Sequence, residues 1–250
     1  MEWRDTGILL SVRPHGETSV IAEVFSAEHG RHAGVIRGGI SRKLKPVLQP
    51  GAQLSVVWQA RLESHLGSFR VEPTQSRTAD LMEARVCLEA ANSIFALLSR
   101  CLAEREAAPY LYAKTVAVLD HIEDDPGWLA DYVRWEIALL REVGFGLDLE
   151  SCAATGVRDN LIYVSPKSGR AVSAQAGAPY SDRLLKLPGF LLNRDARILS
   201  GDLCTGMRLS GYFLEHSVMP THGKTDLPAA RGRLLDLMEK RDRGAVRSLD

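Results

Sequence analysis

The sequence predicts an α+β protein, in which a small β-barrel at the N-terminus precedes a mainly helical part. Two observations favour this class: apolar and polar residues alternate over the first 80 residues, and apolar residues recur at helical spacing after Thr78. With 250 residues the chain can form one large domain or two small ones. Its 45% apolar and 25% charged content is ordinary for a globular protein.

Five N-terminal segments have the alternation of a half-buried strand. The first places Ile8, Leu10 and Val12 at a period of two, and the fourth places Trp58 in phase with Val56, which predicts that Trp58 is a core residue. Five short strands in this length favour a closed barrel of the OB type, because closure removes exposed sheet edges. The five segments are TGILLSVRP, SVIAEVFS, RHAGVIRG, AQLSVVWQARL and GSFRVEPTQ.

Helical spacing begins near Thr78. Thr78 or Asp80 is the expected N-cap of a first long helix, and Pro109 begins a second that runs to about residue 122. Asp125 is the expected N-cap of a third helix, which Gly144 ends. Residues 147–180 are rich in turns and lack periodicity, and helical spacing returns near 181–187, 196–218 and 228–241.

Charge is unevenly distributed, although the 31 basic and 31 acidic residues cancel in the formal net charge. The segment from His29 to Leu62 contains six basic residues and no acidic one, and Gly38-Gly39 within it allows a close approach of the backbone to a ligand. Phosphate backbones attract such a segment without regard to base sequence. The six cations are Arg31, Arg37, Arg42, Lys43, Lys45 and Arg61.

These residues alone leave two interpretations open. The segment is either a solvated loop whose lysines protect a sheet edge, or a site for a polyanion. Aromatic residues add little to the second interpretation, since only Phe69 and His65 are candidates for base stacking. The sequence has no GxxxxGK, GxSxG or HExxH motif, so nothing in it argues for catalysis.

Cysteine usage and hydropathy favour a cytoplasmic protein. The four cysteines are widely spaced with no CxxC pair, which argues against a disulfide framework and fits a reducing compartment. The N-terminus has no apolar run long enough for a signal peptide, and no run of 18 apolar residues predicts a membrane span.

The order of these features resembles the RecO family of bacterial recombination mediators. The resemblance covers most of the chain, to about Leu237, and its most specific part is LLREVGFGLDLESCAATG. The other segments that carry it are DTGILLSVRPHGETSVIAEVFSAEHGRHAGVIRGG, VLQPG, SHLGSFRVEP, YLYAKTVAVLDHI and NLIYVSPKSGRAVS.

The resemblance implies a molecule without enzymatic activity and without a small-molecule substrate, and we expect no cofactor in this particular chain. Such a protein binds single- and double-stranded DNA, anneals complementary strands, and contacts RecR and the acidic C-terminal tail of single-strand-binding protein. With RecR it helps to load RecA on coated single strands, in the cytoplasm at the nucleoid. The implied segments are an OB fold that binds DNA (1–78), a helical domain in two parts (79–146 and 181–250, the latter with a basic tail) and a turn-rich insert (147–180).

The insert departs from the family pattern, which has two CxxC pairs that bind zinc. Here the first pair reads Cys152 and Thr155, and the second reads Ser173 and Ala176, so one thiol remains. Since a structural zinc site needs four thiolate or imidazole ligands, we expect no metal in this zinc-finger-like region. Packing is expected to hold the insert instead, through Leu161, Tyr163 and Val172 with turns at Gly156 and Gly169.

The resemblance also assigns candidate site residues. It makes Arg31, Arg37, Arg42, Lys43 and Lys45 expected contacts of the DNA backbone. Arg61 is a sixth candidate for DNA binding, or else it lies on another face. Two helical residues seven apart, Arg134 and Arg141, are candidates for binding an acidic partner peptide, or are solvated helix charges. The alternative function is an adaptor whose basic barrel binds an acidic protein, with DNA contact incidental.

Overall fold

The computed structural model describes residues 1–123 and 125–247, with side chains described as far as residue 243. The chain forms two compact units, Met1–Ile122 and Glu123–Asp250. A five-stranded barrel followed by helices and a second small sheet confirms the predicted α+β class. In the described ranges no helix is both long enough and apolar enough to cross a membrane.

The barrel has the strand order β1-β2-β3-β5-β4 and is closed. β1 pairs with β4 over Glu2–Ile8 and with β2 over Gly7–His15, and a bulge between Leu9 and Ser11 interrupts the second pairing. A parallel pairing of Val35 with Ser68 joins β3 to β5 and completes the ring. The strands are β1 (Glu2–His15), β2 (Ser19–Ser26), β3 (Gly30–Ile36), β4 (Gln53–Gln59) and β5 (Ser68–Gln75).

The inward residues of each strand form the barrel core. Trp58 is 1% exposed within it, which confirms its predicted core position. Phe69 lies opposite Trp58 on the neighbouring strand and is 3% exposed, so the expectation that Phe69 stacks on bases is wrong. The core also contains Leu9, Val20, Ala22, Val24, Ile36, Leu48, Ala52, Leu54 and Val56.

Three helices complete the first unit: α1 (Thr78–Glu83), α2 (Arg85–Cys101) and α3 (Pro109–Asp120). The predicted single long helix is wrong, because Ala84 is extended at φ −134° and ψ 144° and separates α1 from α2. Neither Thr78 nor Asp80 is the N-cap of α1, which begins after Arg77.

The helices cover the β1–β2 side of the barrel. Ile8 and Phe25 pair across these strands and are fully buried, although both alternate with the inward core residues. Phe25 packs edge-to-face on Tyr112 of α3 with ring centroids 5.6 Å apart, and Ser99 of α2 donates to Glu23 of β2 at 2.6 Å. This side of the barrel is therefore occupied by the chain itself.

A buried arginine joins the strands and helices of this unit. The side chain of Arg77, 1% exposed, donates to Asp120 at 2.7 Å, to the carbonyl of Gly51 at 2.9 Å and to Gln53 at 3.1 Å. These partners lie at the end of α3 and at the start of β4. Because the guanidinium is buried while Asp120 is partly exposed, loss of an acceptor would leave desolvated charge on Arg77, which therefore constrains this region.

The second unit contains helices and a three-stranded sheet. Asp125 caps its first helix as predicted, accepting from the backbone of Gly127 at 2.6 Å, and Gly144 follows the helix end with φ 87°. The elements are α4 (Pro126–Glu142), β6 (Leu161–Val164), β7 (Ala171–Ser173), α5 (Ala174–Gly177), β8 (Leu185–Lys186), α6 (Asp202–Phe213), a π-helical segment (Leu214–Val218), α7 (Met219–Thr221) and α8 (Ala229–Arg247).

Two of the helical predictions for this unit need correction. Residues 181–187 are not helical, because Leu185 and Lys186 pair with β6 as an edge strand. The helix expected over 196–218 begins only at Asp202, whereas the helix expected near 228–241 is confirmed by α8. Lys240, Arg241 and Arg243 of the basic tail lie on α8, and the side chain of Arg247 lies outside the described residues.

A second buried arginine lies in this unit. Arg231 of α8 donates to both oxygens of Glu136 of α4, at 2.7 and 2.9 Å, and Ser210 of α6 donates to the same carboxylate at 2.5 Å. Burial opposes the charge of Arg231, but the adjacent Glu136 carboxylate outweighs burial and raises the pKa of Arg231. The pair links three helices through one ion pair.

His32 is a buried titratable residue of the barrel. Neither of its ring nitrogens has a hydrogen-bond partner among the described residues, and its ring lies edge-on to Trp58 at 4.8 Å and to Trp3 at 5.1 Å. Burial, reinforced by the nearby Arg105 and His29, lowers the pKa of His32 to about 4. The folded barrel therefore holds this imidazole neutral.

We expect the stability of the first unit to fall as the pH falls from 6.5 to 4. The unfolded chain protonates His32 near its ordinary pKa of 6.5, whereas the folded state does so only near 4, so acid favours unfolding by about 1–3 kcal/mol in this window. Urea unfolding at a series of pH values should show a shallower dependence in His32→Phe. His15→Phe, at an exposed histidine, is the control. Equal pH dependence in wild type and His32→Phe would contradict this assignment.

Single and double replacement of the buried pair should differ in effect. Arg231→Met leaves the Glu136 carboxylate buried and uncompensated, and should destabilise the second unit by about 3–5 kcal/mol. Arg231→Met combined with Glu136→Met should recover most of that loss. Urea denaturation of the wild type, both single variants and the double variant gives the coupling energy. Additive losses would refute the strong coupling.

Candidate nucleic-acid interface

The basic segment forms the connection between β3 and β4, residues 37–52, which we name the cationic loop. Its first turn uses both glycines: Gly38 has φ 68°, and a Cβ on Gly39 would lie 2.4 Å from a methyl group of Val20. Leu48 enters the barrel core, and Leu44 packs against that core. The apolar residues thus fix one side of the loop to the barrel.

Backbone bonds fix the end of the cationic loop. The amide of Gly51 donates to the carbonyl of Leu9 at 2.8 Å, and the amide of Leu9 donates to the carbonyl of Ala52 at 2.9 Å. The carbonyl of Gly51 accepts from the buried Arg77. The loop is therefore anchored to β1 and to the start of α1, which limits its conformational freedom.

Four predicted site residues lie together on the solvent side of the cationic loop. Arg37, Arg42, Lys43 and Lys45 are exposed, and in the part of the chain that the structure describes none of these side chains has an ion pair or a hydrogen bond. Cations that are not neutralised by nearby carboxylates keep their full attraction for a polyanion. This surface fits the expected contact with phosphate.

Arg31 has a different role. Its guanidinium donates to Glu23 at 2.5 Å and to the carbonyl of Leu102 at 3.0 Å, and it lies 3.5 Å from Glu104. The side chain is only 16% exposed. Because these contacts hold the barrel to the connection after α2, we leave Arg31 out of the proposed DNA surface.

Arg61 lies on a separate loop, residues 60–67 between β4 and β5, with the exposed His65. Arg105, which has a left-handed backbone at φ 65°, holds this loop by donating to the carbonyls of Glu63 and of His65, the latter at 2.8 Å. Trp58 adds a bond to the carbonyl of Leu66 at 3.0 Å. Arg61 is thus exposed on a fixed loop apart from the cationic loop.

A groove on the β1–β4–β5 face was missed from the sequence. Strand register places Arg4 of β1 and Arg70 of β5 on either side of Val57 of β4, on the outward face. The groove encloses about 770 Å³, and Arg37 and Leu44 bring the cationic loop to it. It is lined by Arg4, Ile36, Arg37, Leu44, Ser55, Val57, Gln59, Ser68, Phe69, Arg70, Val71 and Glu72.

The two candidate residues for a protein partner differ in environment. Arg134 donates to Asp131 at 2.8 Å and to the carbonyl of Phe190 at 2.9 Å, so its charge is used inside the second unit. Arg141 is exposed, and no ion pair involves it within the described ranges. Of the two, only Arg141 is available to an acidic peptide.

The insert brings the two altered ligand pairs together. The amide of Ser173 donates to the thiol sulfur of Cys152 at 3.3 Å. Although burial raises the pKa of Cys152, hydrogen bonds from Ser173 and Thr155 lower it to about 6. A set of one thiol, two hydroxyls and the methyl of Ala176 does not fit zinc, which prefers thiolate and imidazole.

Packing holds the insert in the way that was expected. Leu161 and Val172 are buried at 5% and 8% exposure, and Tyr163 pairs with Val172 across the sheet. Gly156 and Gly169 have φ of 73° and 66°, as turn glycines require.

Comparison with known proteins gives matches over nearly the whole chain. Residues 1–77 match the family described as "Recombination protein O N terminal", and residues 85–225 match "Recombination protein O C terminal". The chain is 52% identical over 240 residues to "DNA repair protein RecO" of Dinoroseobacter shibae, covering 96% of this chain and 99% of that protein. A Ruegeria protein of the same name is 48% identical over 96% of this chain and 100% of its own length. Another, from Sinorhizobium medicae, is 48% identical over 92% of both chains.

Restoring the missing thiols should create a zinc site. The variant Thr155→Cys/Ser173→Cys/Ala176→Cys should bind about one zinc per chain, because the pairs already lie in contact and four thiolates complete a tetrahedral set. Elemental analysis after purification with zinc measures the uptake, and Cys152→Ser in the same background is the control. Stoichiometric zinc in the wild type, or none in the triple variant, would contradict this account.

Proposed function

The chain belongs to the RecO family of DNA repair proteins, and on that premise we propose that it is a non-catalytic recombination mediator that binds DNA through its cationic loop. The observation that carries the proposal is a group of four exposed cations, without ion pairs among the described residues, on a loop anchored to an OB-type barrel. Phosphate is the matching ligand, because it is the repeated anion of every nucleic acid.

The proposed binding does not depend on base sequence. The exposed groups of the cationic loop are flexible lysines and arginines, which read the charge of the backbone and position the protein without specifying bases. Both single and double strands present this charge, so we propose that the protein binds both and anneals complementary single strands.

The remaining parts of the proposal follow from family membership. We propose that the protein acts with RecR to load RecA onto DNA coated by single-strand-binding protein, and that it contacts the acidic tail of that protein. Arg141 is the residue we retain for the acidic tail, since Arg134 has internal partners. The proposed place of action is the nucleoid in the cytoplasm.

The rival proposal is an adaptor whose cationic loop binds an acidic protein. It predicts that a short acidic peptide, with the sequence of the tail of single-strand-binding protein, competes fully with DNA for the loop. The DNA-binding proposal predicts that the peptide leaves most DNA binding intact, because the peptide binds elsewhere. A competition titration with labelled single-stranded DNA distinguishes the two.

Replacement of Arg42, Lys43 and Lys45 by Ala should weaken binding to DNA of any sequence. The slope of log K against log salt should become shallower by about 2 on single strands and about 3 on duplex, because three phosphate contacts are lost. Fluorescence anisotropy at a series of salt concentrations measures both quantities, and strand annealing should slow in parallel.

The control is a variant with the same loss of charge in the second unit. Arg158, Lys167 and Arg183 are three exposed cations of that unit, and their replacement by Ala should leave the salt slope close to the wild-type value. Unchanged binding by the loop variant would remove the cationic loop from the proposed interface.

A further inference from the structure

We propose that the groove on the β1–β4–β5 face holds a single DNA strand by its phosphates, with the bases directed away from the protein. The proposal rests on the proposed function and adds a site, a strand type and an orientation. The faces of the barrel that remain available to a ligand determine where such a strand can bind.

The face that OB folds commonly use for oligonucleotides, on strands β2 and β3, is occupied in this chain. Phe25 of β2 is buried under α3, Glu23 of β2 accepts from Ser99 of α2, and Arg31 of β3 is bonded to Glu23. The β1–β4–β5 face has a groove in place of such a cover. A strand that binds this barrel is therefore directed to β1, β4 and β5.

The charge of the groove fits a polyanion. Arg4, Arg37 and Arg70 line it, and within the described residues none of their side chains forms an ion pair. Glu72 is the acidic residue among the lining residues, so the lining has an excess of two positive charges. Arg37 also belongs to the cationic loop, which makes the groove and the loop one continuous surface.

The spacing of the two strand arginines allows them to contact two different phosphates of one strand. Arg4 and Arg70 are separated by one strand, β4, and strands lie about 4.8 Å apart, so their backbones are about 10 Å apart. This distance is about three nucleotides at the duplex rise of 3.4 Å. Each arginine can therefore contact a different phosphate of one strand.

The groove lacks a platform for bases. Phe69 is the aromatic residue among its lining residues and is 3% exposed. Trp3 lies nearby on β1, but its ring is stacked on His29 at 4.0 Å. Proteins that grip bases of single strands use exposed aromatic rings, each worth a factor of about 5 to 150 in affinity. A strand bound here keeps its Watson–Crick edges free to meet a complementary strand.

The first test compares a dT oligonucleotide with an abasic deoxyribose-phosphate chain of the same length, using the full-length protein. We expect the affinities to agree within about threefold, because the contacts are to phosphate. An affinity for the abasic chain that is lower by more than about tenfold would show that bases are gripped and would overturn the orientation.

The second test replaces the groove arginines. Arg4→Gln/Arg70→Gln should make the salt slope on single strands shallower by about 1.4, the effect of two phosphate contacts, and should slow annealing. Arg13→Gln is the control for the loss of one exposed cation from the same strand, since Arg13 lies nine residues from Arg4 beyond the bulge, and twice its effect is the baseline for the double variant. Circular dichroism of each variant verifies that the barrel is folded.

The outcomes separate this proposal from the proposed function. If the loop variant loses DNA binding while Arg4→Gln/Arg70→Gln does not exceed twice the effect of Arg13→Gln, the groove proposal is overturned and the DNA-binding function stands. If the wild-type protein binds no DNA at low salt, the proposed function itself fails. Loss in both the loop and the groove variants, with the loss in the groove variant beyond that baseline, supports the groove.

Discussion

The guanidinium of Arg77 connects the three parts of the first unit. Arg77 lies in the chain between the end of β5 and the start of α1. Its guanidinium donates to Gly51 at the end of the cationic loop and to Asp120 at the end of α3, so it joins the barrel, the loop and the helices. A buried cation tolerates few alternative geometries, because every lost partner leaves desolvated charge. The position of the loop on the barrel is therefore set by a contact on its hidden side, and the solvent side is left for binding.

Two groups of arginines in this chain have contrasting physical roles. Arg77 and Arg231 are buried and paired, and they join helices or strands that are far apart in sequence. Arg4, Arg42 and Arg70 are exposed and without partners among the described residues. The planar guanidinium serves both purposes, since it satisfies several acceptors inside a protein and binds phosphate outside it.

The barrel and the cationic loop could be predicted from the sequence, because alternation and a run without acidic residues are local signals. The role of Arg31 could not, since it depends on Glu23 and on contacts from beyond α2. The sequence also did not predict that Arg4 and Arg70 lie on either side of Val57, because strand register brings together residues that are 66 positions apart. Periodicity wrongly predicted a helix at 181–187 for a related reason. Pairing with β6 at the sheet edge, and not local preference, determines the conformation of Leu185 and Lys186.

Gly30, at the start of β3, passes so close to the connection between α2 and α3 that a Cβ there would lie 1.8 Å from the carbonyl oxygen of Glu106. Backbone meets backbone at this point, and no side chain can adjust to relieve a mismatch. The barrel is therefore not a portable module: grafted into a chimera without its own helices, it would present the apolar outer surface of Ile8 and Phe25 to water. Exchange of the barrel between relatives of this protein would need to move the barrel and its three helices together.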